Sequence, residues 1–157
     1  MSVRQILEPV KNLNANKTVI FCIGNRLKGD DAAACFVCDL LKGKIKAEVI
    51  DAGSVPENFI GRIVKLMPQN IIMIDAADFS APAGSIKLFG PQQAESFSIS
   101  THSVSLKLLC DCIRSEINCR FFLAGIQPAQ TGLNNPLSVE VQTAVEKIAD
   151  ELIKIFG

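Results

Sequence analysis

Three segments of strand length, residues 17–23 (KTVIFCI), 70–75 (NIIMID) and 120–126 (RFFLAGI), are apolar at almost every position. A strand with one face in water alternates apolar and polar residues, so unbroken runs of this kind describe strands covered on both faces. Between them lie helical stripes. Ile60, Ile63, Val64 and Met67 recur at helical spacing before Pro68. Leu106, Leu109, Ile113 and Ile117 mark a second stripe, in a helix starting near Thr101 or Ser103. Val141, Val145, Ile148, Leu152 and Ile155 form a third, opened by Ser138. Another helix is expected from Asp31 to about Leu41, with Phe36, Val37, Leu40 and Leu41 on one face. Shorter strands fit residues 47–50 and, after the turn signal Pro82-Ala83-Gly84, residues 85–89. Strands alternating with helices predict an α/β fold: a three-layer sandwich whose mainly parallel, twisted sheet of about five strands carries helices on both faces. The 157 residues suffice for a single domain, 1–157. Residues 17–157 carry the pattern, and residues 1–16 are expected to be an N-terminal extension, a loosely held helix.

Composition narrows the function. Although 48% of residues are apolar, no run approaches the ~20 residues of a membrane span. The first residues, MSVRQILEPVKNLNANK, lack the apolar centre of a signal peptide. A cytoplasmic protein without membrane insertion is expected. Sixteen basic and sixteen acidic residues cancel, and Tyr and Trp are absent. A nucleic-acid partner is therefore not expected, since neither a basic footprint nor a stacking platform is present. Six cysteines in a reducing compartment are unlike a disulfide framework. Cys35 and Cys38 form a C-x-x-C pair, whereas Cys110 and Cys112 lie about 200° apart around a helix. They read as small buried hydrophobes, with a structural zinc site as the alternative.

In parallel sheets ligands sit beyond the carboxyl ends of the strands, so the residues there carry the functional reading. After the first run comes Gly24-Asn25-Arg26-Leu27-Lys28-Gly29-Asp30-Asp31. The glycine spacing is that of a phosphate loop, but Asp30 and Asp31 stand where Lys and Ser/Thr belong and would repel a phosphate. Asp30 reads as a helix N-cap. Asp31 then occupies the first turn, either compensating the helix dipole or serving as a ligand. Asp75 ends an apolar strand, at a turn or at the crevice. Asp51 ends the second strand and reads as a turn or capping aspartate. His102, the single histidine, sits in Ser100-Thr101-His102-Ser103. Asp31, Asp75 and His102 together offer two oxygens and one nitrogen from three segments, a set suited to nickel or zinc with positions left open. No H-E-x-x-H helix and no G-x-S-x-G elbow are present.

These residues resemble the hydrogenase maturation proteases. The ordered set comprises Gly24-Asn25, Gly29-Asp30-Asp31, Asp51-Ala52-Gly53-Ser54-Val55-Pro56-Glu57-Asn58, Ile74-Asp75-Ala76, Ser100-Thr101-His102-Ser103 and Gly125-Ile126-Gln127-Pro128. It spans roughly residues 18–155. The Ser-Val-Pro-Glu-Asn and Gly-Ile-Gln-Pro segments are most similar to the subgroup serving energy-converting and formate-hydrogenlyase-type hydrogenases. The resemblance implies an endopeptidase that removes the C-terminal extension of a nickel–iron hydrogenase large-subunit precursor after nickel insertion. It places the nickel-contacting and catalytic positions on Asp31, Asp75 and His102. It also implies that nickel arrives with the substrate and that no tightly held cofactor is needed. In one departure, Ala32-Ala33-Ala34 stand where many relatives carry glycine.

Three other readings are open to the same chain. A nucleotide-binding module would place phosphates on residues 24–29 and a ribose on Asp51. A nickel chaperone would use the three ligands without hydrolysis. A zinc-stabilised domain would be built on Cys35 and Cys38.

Overall fold

The structure is a computed structural model that describes residues 1–90 and 106–157. Its centre is a five-stranded sheet: β1 (Thr18–Ile23), β2 (Glu48–Gly53), β3 (Asn70–Ala76), β4 (Ile86–Phe89) and β5 (Arg120–Ile126). The strand order is β2-β1-β3-β5-β4. The first four in that order run parallel and β4 lies antiparallel to β5 at the edge. All of β1 and β3 is buried, as the unbroken apolar runs require.

Alternation along the strands divides the core in two. Ile20 and Cys22 of β1, with Ile72 and Ile74 of β3, face α2 (Ala33–Leu41) and α5 (Val139–Phe156). Val19, Phe21, Ile71 and Met73 face α3 (Ile60–Leu66) and α4 (Leu106–Arg114). This is the expected three-layer α/β sandwich.

The N-terminal residues differ from expectation. They form α1 (Val3–Ile6), closed by a Ser2/Gln5 capping box, and two 3-10 turns. Leu7 and Val10 are fully buried in the core on the α2/α5 side. Two buried aliphatic side chains hold this segment down, because exposing them costs about 1.5–3 kcal/mol each. The inner face of α2 also differs. Ala33, Ala34, Val37, Cys38 and Leu41 are buried, whereas Phe36 points outward beneath the Arg26 guanidinium, 5.8 Å from its ring centroid. Small side chains suit this face, since α2 packs closely against both the sheet and α5. Strand β2 runs further than expected, to Gly53, so Asp51 lies within it.

Candidate active site at the carboxyl edge of the sheet

Parallel pairing brings the ends of β1, β2, β3 and β5 to one edge. The N–H of Gly24, just past β1, donates to the Gly53 carbonyl at 2.9 Å and locks two of these ends together. The chain then turns back through residues 25–28 into a 3-10 turn, Gly29–Ala32, that leads into α2 and lies against β3. Gly24 is required by a close approach. A Cβ there would come within 2.3 Å of the Asp31 carbonyl oxygen, which accepts from the Asn25 N–H at 3.1 Å. Gly29 has φ +52°, and a Cβ on it would meet the Gln130 side chain at 2.4 Å. Both glycines thus fix where Asp31 is carried.

Asp30 is not the N-cap of its own helix, as its sequence position suggests. Its carboxylate is fully buried and ties the loop after β1 to the loop after β5. Oδ2 accepts from the backbone N–H of Ala129 (2.8 Å) and Gln130 (3.1 Å) and from the Ser138 hydroxyl (2.9 Å). Oδ1 accepts from the Ser138 N–H at 2.7 Å. The Asp30 N–H in turn donates to the Gln130 carbonyl at 2.9 Å, and that of Asp31 to Lys28 at 3.0 Å. These amides are therefore committed, and residues 24–31 hold no open cradle of N–H groups for a phosphate.

Asp31, 2% exposed, and Asp75, 0% exposed, lie on this edge at the ends of neighbouring segments. Asp75 is in register with Gly125 of β5. By strand alternation it shares the side of β3 that carries Ile71 and Met73, toward α3 and α4. His102, the third expected ligand, lies outside the described residues, as do Ser100, Thr101 and Ser103. The helix that follows, α4, leads into the start of β5. Among the described residues no group of three or more His, Cys, Asp or Glu side chains is placed to hold a metal ion.

The remaining residues at these strand ends divide by role. Asp51, near the end of β2, accepts from the Gly53 N–H (3.2 Å) and from Arg26 (2.7 Å), so it anchors the arginine at this strand end. Arg26 makes a two-pronged pair with Asp39 as well, both contacts at 2.9 Å. The Arg26 hydrogen bonds hold the Asp39 carboxyl below the usual aspartate range, and the two carboxylates raise the pKa of Arg26. Gln127 braces the loop that follows Asp75. Its Oε1 accepts from the N–H groups of Phe79 (2.8 Å) and Ala81 (3.3 Å), and its Nε2 donates to Asp78 at 3.2 Å. Glu57, in the 3-10 turn Pro56–Phe59 after β2, keeps a buried Oε2 without a hydrogen-bond partner. Sequence patterning read Asp30 as a helix N-cap and gave Gln127 and Glu57 no role, because the partners of Asp30 and Gln127 lie far along the chain.

The cysteines are free, and five of the six are buried. Burial, reinforced by Asp51, pushes the Cys35 thiol up to about 12. The hydrogen bond with Cys38, together with burial, raises that of Cys22. Buried between α2 and the sheet, Cys22, Cys35 and Cys38 pack as small apolar groups. Among the described residues Cys35 and Cys38 stand in no group of three or more His, Cys, Asp or Glu side chains placed to hold a metal ion.

Comparison with known proteins agrees with the motifs. The model of the HycI family, hydrogenase maturation protease, matches residues 37–155. The hydrogenase 3 maturation protease of Escherichia coli K12 is 35% identical over 137 residues, covering 85% of this chain and 87% of that protein. The solution structure of the endopeptidase HycI from Escherichia coli superposes with a TM-score of 0.78 at 31% identity, covering 88% of this chain and 90% of the other. The crystal structure of a [NiFe] hydrogenase maturation protease HycI from Thermococcus kodakarensis gives a TM-score of 0.82 at 25% identity, covering 98% and 97%.

Proposed function

The chain belongs to the hydrogenase maturation protease family, and from that premise we propose that it cleaves the C-terminal extension from a nickel–iron hydrogenase large-subunit precursor in the cytoplasm, once nickel is in place. Nickel enters this reading as part of the substrate. It docks against Asp31, Asp75 and His102, so that only a loaded precursor is accepted. The observation that carries the reading is the pair of buried aspartates on the carboxyl edge, where β1 and β3 end side by side. Two buried aspartate side chains brought to one edge offer oxygen donors to a divalent cation that arrives with the substrate. Imidazole beside carboxylates is a donor set that suits nickel.

For the hydrolysis itself, a water oxygen attacks the scissile carbonyl while an aspartate accepts its proton. The proton passes to the leaving amine as the C–N bond breaks. The braces described above serve this step by fixing the loops around the two aspartates: Asp30 holds the loop after β5, and Gln127 the loop after β3.

The test is incubation with nickel-loaded large-subunit precursor, with C-terminal shortening followed by mass spectrometry. Parallel reactions use Asp31→Asn, Asp75→Asn and His102→Ala, and nickel-free precursor. Cleavage that requires nickel and all three side chains is expected. An intact precursor that still transfers or retains its nickel on the protein would make the chain a chaperone instead.

A further inference from the structure

We propose that Leu27 and Leu133 form a rigid apolar rim on which the folded large-subunit precursor docks, an inference that rests on the protease reading above. Residues 127–138 join β5 to α5 without regular structure. Connections of this length inside compact domains are uncommon and tend to be functional. This one is firmly braced. Gln130 Oε1 accepts from the Gly132 N–H and from Asn135 Nδ2, both at 3.0 Å, and Gln130 Nε2 donates to the Pro136 carbonyl at 2.8 Å. The buried Asp30 carboxylate holds both ends of the segment, at Ala129 and at Ser138. At the tip, Asn134 adopts φ 63° and donates its N–H to the Leu27 carbonyl at 2.7 Å. The two loops therefore meet, and both leucines are left in water, Leu27 61% and Leu133 66% exposed.

An exposed aliphatic side chain on a mobile loop needs no explanation. Two of them on adjoining loops, held by a hydrogen-bond network anchored on the buried Asp30 side chain, are different, because the conformational cost of presenting them to a partner has already been met in the free protein. The location names the occupant. Leu27 lies in the same loop that carries Asp31, so a molecule reaching the carboxyl edge passes this rim. Of the two cations flanking Leu27, Arg26 is offset by Asp39 and Asp51 and Lys28 remains, a single charge that makes no basic footprint for a nucleic acid. An apolar patch of a protein substrate fits the rim, as aliphatic anchors at an interface do.

The test measures initial cleavage rates against concentration of nickel-loaded precursor for Leu27→Asp, Leu133→Asp and Leu133→Ser. Met67→Asp, an exposed position before β3 at the opposite end of the sheet, serves as control. KM should rise about tenfold or more for Leu133→Asp, the size of losing one interface anchor, with kcat held within about twofold. Leu133→Ser should raise it less, and Met67→Asp not at all. Wild-type KM in both leucine-to-aspartate variants would overturn the inference, as would a matching fall in kcat alone. If the wild-type protein leaves the precursor uncleaved, the protease reading fails separately. Binding of precursor to the immobilised protein then decides the rim, with Leu133→Asp expected to bind about tenfold more weakly.

Discussion

Replacing Asp30 isolates the interaction that holds the candidate active site together. Its carboxylate is fully buried and receives four hydrogen bonds, three of them from backbone N–H groups of Ala129, Gln130 and Ser138. In Asp30→Ala those three amides lose their acceptor at part-buried positions, at up to ~1–3 kcal/mol each. Partial relaxation and water entry keep the sum below simple addition, so a loss of about 4 kcal/mol is expected. In a domain of this length ~1 kcal/mol corresponds to roughly 2–4 °C, giving a fall in Tm of about 8–16 °C. Asp30→Asn should cost less, about 2–3 kcal/mol, since its one remaining oxygen can serve the three-donor side while its amide group opposes the Ser138 N–H. Ser138→Ala, which removes only the hydroxyl donor, should cost about 1 kcal/mol. Urea titrations followed by circular dichroism report all three. A loss under about 1 kcal/mol for Asp30→Ala, or a reversed order of the three variants, would refute the brace.

Two further outcomes follow from the same edge. Gly24→Ala places a Cβ within 2.3 Å of the Asp31 carbonyl oxygen. The turn must shift, costing ~1–3 kcal/mol of stability, while a displacement of Asp31 by about 1 Å should lower precursor cleavage on the order of 100-fold; thermal melts and cleavage assays on one preparation compare the two. Arg26→Gln tests the ion-pair cluster through pH. The Asp39 carboxyl lies below its ordinary value of 3.8 when folded, so its contribution is present above that pH and is lost as pH falls through the folded value. Arg26→Gln should be less stable than wild type at pH 7, with the gap closing below pH 3.8 in denaturation curves.

The sheet's central strands, the helices between them and the layer count were legible in the sequence, because burial on both faces writes itself as an unbroken apolar run. So were the position of Asp75 at the end of β3 and that of Asp31 in the turn that opens α2, since a parallel sheet collects its carboxyl ends on one edge. The strand order, the antiparallel β4 and the docking of residues 1–10 were not legible. They depend on which surfaces meet after folding. Leu7 and Val10 look like isolated aliphatic residues until α5 covers them, and Phe36 looks like core until the smaller Cys and Ala side chains of α2 fill the inner face.

Asp30 and Asp31 show the division most clearly. Side by side in the chain, two aspartates at a helix start are chemically the same, and the sequence determines only that carboxylates stand there. The tertiary structure separates them. The donors that claim Asp30 lie 99 to 108 positions away, at the far loop that β5 delivers to the same edge, whereas Asp31 is carried on the turn beside β3. Local sequence sets what a residue can bond; chain topology decides which partners arrive, because hydrogen bonds between distant segments exist only after the core has brought those segments together.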